Sequence, residues 1–178
     1  MIDLDNLEES IGIIYRQYYL DVYRFLICFS GNQNDAEDLT QEVFIRVLNN
    51  LSSFNKDHNL KTWIFSIAKH VAVDEYRKKK FTSTFKNGFF YKIASGDKEP
   101  NELIEHIEIK NCVHGAISKL KPNFRTVVIL RGINEFTIKE TSEILQCSES
   151  KVKVDYHRAL KELKKSISID IGEDVKNA

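Results

Sequence analysis

Proline and glycine are scarce in this chain. Two prolines (Pro100 and Pro122) and seven glycines among 178 residues leave few of the tight turns that a sandwich or barrel of short strands needs, which favours long helices. No stretch approaches the roughly 18 consecutive apolar residues of a membrane span. The first nine residues carry Asp3, Asp5, Glu8 and Glu9 and no basic group, so they do not read as a secretory leader, and the cytoplasm is the expected compartment. The three cysteines, Cys28, Cys112 and Cys147, lie far apart and form no CxxC pair. Cys112 and His114 are two residues apart with nothing nearby to complete a ligand set, so no metal is expected. A glycine-rich phosphate loop and a nucleophile–histidine–carboxylate spacing are also missing. That argues against an enzyme and leaves no cofactor or small-molecule substrate to place.

What is present is 42% hydrophobic and 29% charged residues, the balance of a globular protein. The net charge is zero, which speaks weakly against a nucleic-acid partner, but the charges are segregated. Residues 1–60 hold four basic and ten acidic residues, and residues 61–92 hold eight and two. Residues 93–110 hold two and five, residues 111–167 eleven and six, and residues 168–178 one and three. Two basic blocks alternating with three acidic ones would let a polyanion be gripped at two places while acidic faces meet something else. Ordinary solvated helix surface would give the same counts.

Periodicity points to an all-α chain in two small units. Ile11, Ile14, Tyr15, Tyr18, Val22, Phe25, Leu26 and Phe29 recur at helical spacing, and Ser30 to Gln33 is a break. Asn34, with Glu37 three residues on, reads as the cap of a second helix. That helix turns Ala36, Leu39, Val43, Val47 and Leu48 to one face and Asp35, Asp38, Gln41, Glu42 and Arg46 to the other. Residues 52–59 form a polar loop. A third helix runs from Lys61 to about Lys80 with Trp63, Ile64, Ile67, Ala68, Val71 and Ala72 inside. Residues 81–108 are aromatic and aperiodic and read as a linker, helical again from about Glu102. The expected divisions are therefore a unit over 1–80, a flexible linker over 81–108, a unit over 109–168 and an acidic tail over 169–178.

In the second unit Val113, Ala116, Ile117 and Leu120 share a face, and Pro122 suits a first helical position. Thr137 to Glu140 matches a capping box whose helix would end at Leu145. Gln146, Cys147 and Ser148 make a three-residue turn. A last helix follows from Glu149 to about Ile167, with Val152, Tyr156, Ala159, Leu160 and Leu163 inward. Ile138, Ser142 and Leu145 would pack on Val152 and Tyr156. A short capped helix, a tight turn and a longer basic helix is the pattern of a helix-turn-helix. The second helix would present Ser148, Ser150, Lys151, Lys153, Val154, His157 and Arg158, groups suited to phosphate oxygens and guanine edges. A plain helical hairpin with a solvated basic face is the other reading of these residues.

DAEDLTQEVFIRVL at 35–48, SSF at 52–54 and KTWIFSIAKHVAVDEYRKK at 61–79 strongly resemble domain two of the extracytoplasmic-function sigma factors of bacterial RNA polymerase. KLKPNFRTVVILR and FTIKETSEILQCSESKVKVDYHRALKEL resemble their domain four, and the two stretches lie in family order. The resemblance implies a factor that binds core RNA polymerase and promoter DNA in an envelope or stress response. It implies a monomer when free, held by an anti-sigma factor that is often embedded in the membrane. It places Asp35, Asp38, Gln41 and Glu42 against core polymerase. It places Phe54, Asn55, Lys56, Asp57, His58, Asn59, Leu60 and His70 around a flipped minus-ten base, with Trp63 in the core. A core plug closing the loop is an equal reading of Phe54. Lys61, Lys69, Arg77, Lys78 and Lys79 would hold phosphates of the melting duplex, and Lys153, Val154, His157 and Arg158 would meet the minus-thirty-five element. Many members carry alanine and glycine where this chain has Ser142 and Gln146, and asparagine where it has His70. Gln146 is thus expected to bear a left-handed conformation at about 1 kcal/mol. Two other functions fit the residues alone: a helix-turn-helix regulator that acts without polymerase, and a helical adaptor.

Overall fold

The structure, a computed structural model, describes the backbone of residues 7–55, 57–86 and 115–174 and the side chains of 11–55, 57–82 and 115–167. Lys56, Cys112, Val113 and the expected linker beyond Lys86 lie outside the described residues. Helices α1 (Leu7–Ser30), α2 (Gln33–Asn50) and α3 (Leu60–Lys86) are followed by α4 (115–119), α5 (Pro122–Val128), α6 (Ile138–Leu145) and α7 (Glu149–Asp174). A 3₁₀ turn at Leu51–Ser53 and a π-turn at Ile129–Ile133 complete the elements. Every regular element among the described residues is helical, the all-α class that the spacing predicts. None of the described helices is long and apolar enough to cross a membrane.

The first three helices close around Ile14, Val22, Phe25, Leu26, Phe29, Val43, Val47, Ile64, Phe65, Ala68 and Val71, all buried. Buried Thr40 is satisfied by donating to the Ala36 carbonyl at 2.6 Å. Gly31 adopts φ 71°, a left-handed turn that glycine takes without steric cost. The chain therefore reverses directly after α1. The cap of α2 is Asn32, whose Oδ1 accepts from the Asp35 amide at 3.0 Å, rather than the expected Asn34. Leu48 and Tyr15, read as inward, stay about two-fifths exposed. Phe44 instead fills the gap between α1 and α2, with the Tyr15 ring tilted against it at 4.8 Å and the Tyr19 ring stacked on it at 6.4 Å. α3 runs six residues past the expected start of the linker, since neither glycine nor proline interrupts the sequence before Gly88.

In the second unit Pro122 opens α5 as expected. α5 then widens into the π-turn, which spacing did not foresee. The capping box is complete: the Glu140 amide donates to Thr137 Oγ1 at 3.2 Å and the Thr137 amide to Glu140 Oε2 at 2.8 Å. The latter bond, with a second from the Thr137 hydroxyl, holds the Glu140 carboxyl below its ordinary value. Thr141 and Ile144 are the buried face of α6, and half-buried Ser142 donates its hydroxyl back to the Lys139 carbonyl at 2.7 Å. Val152 and Ala159 are buried in α7, whereas Leu160, expected inward, is 42% exposed because it lies about 100° around the helix from Ala159. α7 continues to Asp174, beyond the expected end near Ile167.

Gln146 does sit in the left-handed region, at φ 53° and ψ 48°, and lets the Cys147 amide reach the Ser142 carbonyl at 3.1 Å. Replacing it with glycine is expected to raise stability by about 1 kcal/mol. Thermal unfolding of Gln146→Gly would check this, and an unchanged or lower midpoint would show that the turn carries no strain.

Candidate functional site

The outer face of α7 is built by its start. Ser148 Oγ accepts the Lys151 amide at 3.3 Å, which fixes the N-terminus. Ser148, Ser150, Lys153, Val154, His157 and Arg158 are all exposed, and from Ser150 onward they recur along one side of the helix. Val154, 47% exposed between charged neighbours, offers an apolar contact of the kind that suits a thymine methyl. Exposed Lys161 lies one turn beyond His157 and Arg158 on the same side and was missed in the sequence, although helical spacing alone points to it. Lys151 is turned to Asp155, 2.7 Å away, and that bond raises its ammonium above the ordinary value.

The structure splits the expected base pocket. His70 lines an open cleft of about 340 Å³ with Arg46, Asn50, Ser53, Trp63 and Ile67. Asn55, His58 and Asn59 are not among its walls. Asn55 Oδ1 accepts the Asp57 amide at 3.0 Å, and Asn59 Oδ1 accepts the Thr62 amide at 3.2 Å at the start of α3. The loop asparagines thus shape the backbone. Phe54 is half-buried, its ring 4.8 Å from that of Trp63. Trp63, expected as pure core, is half-buried and forms part of the cleft wall. Arg46 and Asn50 were not foreseen there, because the end of α2 meets α3 only in the folded chain.

The basic residues of α3 diverge. Lys61 pairs with Asp21 at 3.2 Å and lies 5.0 Å from the centre of the Phe136 ring of the second unit. Lys69 is half-buried, its Nζ 3.0 Å from His70 Nε2; burial, then the nearby Arg77 charge, lowers its ammonium. Arg77 is exposed, 3.7 Å from Asp74.

Asp35, Asp38 and Glu42 line a groove of about 480 Å³ between α2 and α3, which shares Arg46 with the His70 cleft. Leu39, Arg46, Val71, Asp74, Glu75 and Lys78 complete it. Asp35 pairs with Lys79, and Glu42 with Arg46 at 2.7 Å. Gln41 stands outside the groove, exposed on α2. Ile45, 53% exposed, follows Gln41 by one turn and adds an exposed apolar side chain to that face, which charge patterning passes over. Among the described residues no group of three histidine, cysteine or carboxylate side chains is placed to hold a metal. Cys28 is packed in the core, where burial pushes its thiol up to about 11.

Comparison with known proteins places both units. Residues 14–82 match the Sigma-70 region 2 family and residues 110–163 the Sigma-70, region 4 family. The ECF RNA polymerase sigma factor SigX of Bacillus subtilis is 37% identical over 168 residues, covering 92% of this chain and 86% of that protein. SigW of the same organism is 31% identical over 93% of this chain and 90% of its own length. The fold resembles that of the sigma factor RpoE in complex with the anti-sigma factor NepR from Bartonella quintana. That match has a TM-score of 0.72 at 22% identity, over 91% of this chain and 99% of the other. With both family models matched in one chain and a relative 37% identical over nine-tenths of it, the chain belongs to the ECF RNA polymerase sigma factors.

Proposed function

We propose that this alternative sigma factor docks on core RNA polymerase through the outer face of α2 and reads promoter DNA at two places. The unit over 1–80 takes the minus-ten element and the unit over 109–168 takes the minus-thirty-five element. The observation that carries the reading is the face of α7, capped by Ser148 and exposing Lys153, Val154, His157 and Arg158 together. A helix of this kind enters the major groove with its N-terminal half toward base edges. The cleft between Trp63 and His70 gives an unstacked base an aromatic wall and polar groups for its edge. The factor itself supplies no chemistry, which belongs to the polymerase, and it works in the cytoplasm. Structural neighbours described as complexes with NepR and with the cytosolic domain of CnrY support a proteinaceous antagonist for this chain as well.

The test is transcription by purified core polymerase on a promoter library, with and without the protein. Start-site selection that depends on the protein is the expected result, and its absence would end the reading. In a parallel binding assay the double reversal Asp38→Lys, Glu42→Lys is expected to weaken core binding by about 2 kcal/mol, some thirtyfold. Helical content should stay unchanged, because neither carboxylate is buried. Undiminished core affinity would move the docking face elsewhere.

A further inference from the structure

We infer that the end of α2 selects the base taken into the His70 cleft. Arg46 and Asn50 choose it, and they choose a base whose edge shows two adjacent acceptors followed by a donor. Cytosine has that order on its Watson–Crick edge, and guanine has it from its N7 to its N1. The inference rests on the proposed capture of an unstacked base by this cleft, and it names the class of base captured.

Arg46 and Asn50 lie one turn apart on α2, so they share a face, and both line the cleft with Ser53, Trp63, Ile67 and His70. Bonds within the helix already commit half of each side chain. Arg46 Nε donates to Glu42 Oε1 at 2.7 Å, which leaves the two terminal amino groups of the guanidinium as a fork of donors. Asn50 Nδ2 donates to the Arg46 carbonyl at 2.8 Å, which leaves Oδ1 as an acceptor. The other walls add less. Ser53 spends its hydroxyl proton on the Asn50 carbonyl at 2.8 Å. His70 Nε2 lies 3.0 Å from the Lys69 ammonium, which can only donate, so the ring N–H is Nδ1 and adds one more donor. The loop side chains of Asn55 and Asn59 are held by their own backbone and stand outside the walls. Base choice therefore falls to α2 and not to the loop.

The polar atoms of each base follow a fixed order. Adenine alternates between acceptor N7, donor N6 and acceptor N1, and thymine between acceptor O4, donor N3 and acceptor O2. A guanidinium fork needs two neighbouring acceptors. Cytosine supplies O2 and N3, and guanine supplies N7 and O6. The next group is the N4 amine in cytosine and N1–H in guanine, each a donor for Asn50 Oδ1. Adenine or thymine in the same pose would set a donor against one arm of the fork and leave both without partners.

The test selects open complexes formed by core polymerase and the full chain on a promoter library randomised through the minus-ten region. At one position the wild type should retain cytosine or guanine about tenfold over adenine and thymine. Arg46→Ala and Arg46→Lys should both flatten that position to within about twofold, because lysine keeps the charge and loses the fork. Asn50→Leu should weaken the preference and Asn50→Asp, which keeps an acceptor, should retain it. The ratio is taken among the complexes of each variant, so weaker docking after loss of the Glu42 partner cancels. The Arg46 side chain is 42% exposed and Asn50 is exposed, so the variants should fold. Two analogues separate the candidate bases. At that position 7-deazaguanine, which lacks N7, should bind about tenfold more weakly than a preferred guanine, and 2-pyrimidinone, which lacks the amine, more weakly than a preferred cytosine. A flattened position that prefers adenine or thymine would overturn the inference. So would a preference that survives Arg46→Ala at every position, or an analogue that binds as well as its parent base. In each of those cases transcription by the wild type persists, whereas failure of the sigma-factor reading would appear as no open complex on any sequence and would overturn both.

Discussion

Phe65→Ala is expected to cost about 3–5 kcal/mol of stability, the range for deleting a fully buried aromatic ring. Phe65 is completely buried and sits between Phe25 of α1, 5.9 Å away, and Phe136, 4.6 Å away. Its removal opens a cavity that neither neighbour can fill without giving up its own packing, since Phe25 is also set against Phe29 at 6.1 Å. Phe136 is buried as well, but it has one aromatic neighbour, Phe65, and a lysine over its ring, whereas Phe65 is set between two aromatic rings, so truncating Phe136 should cost less than truncating Phe65. Chemical denaturation of the two single variants gives the comparison. Equal costs would mean that Phe136 is as integral to the core as Phe65, and that the units unfold as one.

The second large effect concerns DNA. Truncating Arg158 and Lys153 together is expected to reduce promoter affinity by about 1–3 kcal/mol for each bidentate hydrogen-bond pair to a base edge that they make. Both side chains are exposed, so stability should hardly change. The weakening should be concentrated on the preferred minus-thirty-five sequence. An equal weakening on every sequence, with the salt slope lowered by about one per side chain, would identify them as phosphate ligands instead.

The helices were legible because their apolar spacing is regular, and the capping box at Thr137 and the strained turn at Gln146 because each is local chemistry. Local signals also misplaced some details. Asn34 has the right neighbour for a cap, but Gly31 turns the chain early and Asn32 takes the role. Leu48 and Leu160 belong to apolar stripes by spacing, yet each lies at a stripe's edge where no partner helix reaches. The acidic and basic helix faces were readable from charge and family likeness, whereas the cleft at His70 was only half readable. Its remaining walls, Arg46 and Asn50, come from another helix. The interface between the units was invisible, since its hydrogen bonds, from Arg125 to the Phe29 carbonyl and from Asn134 to that of Asp21, join residues 96 and 113 positions apart. Nothing in the local pattern around Arg125 or Asn134 distinguishes them from surface residues.

Trp63 is the chain's one indole and stands in the wall of the cleft. Its emission therefore comes from a single address, so an oligonucleotide titration can be followed by ultraviolet light in the untouched protein, with no dye and no engineered label.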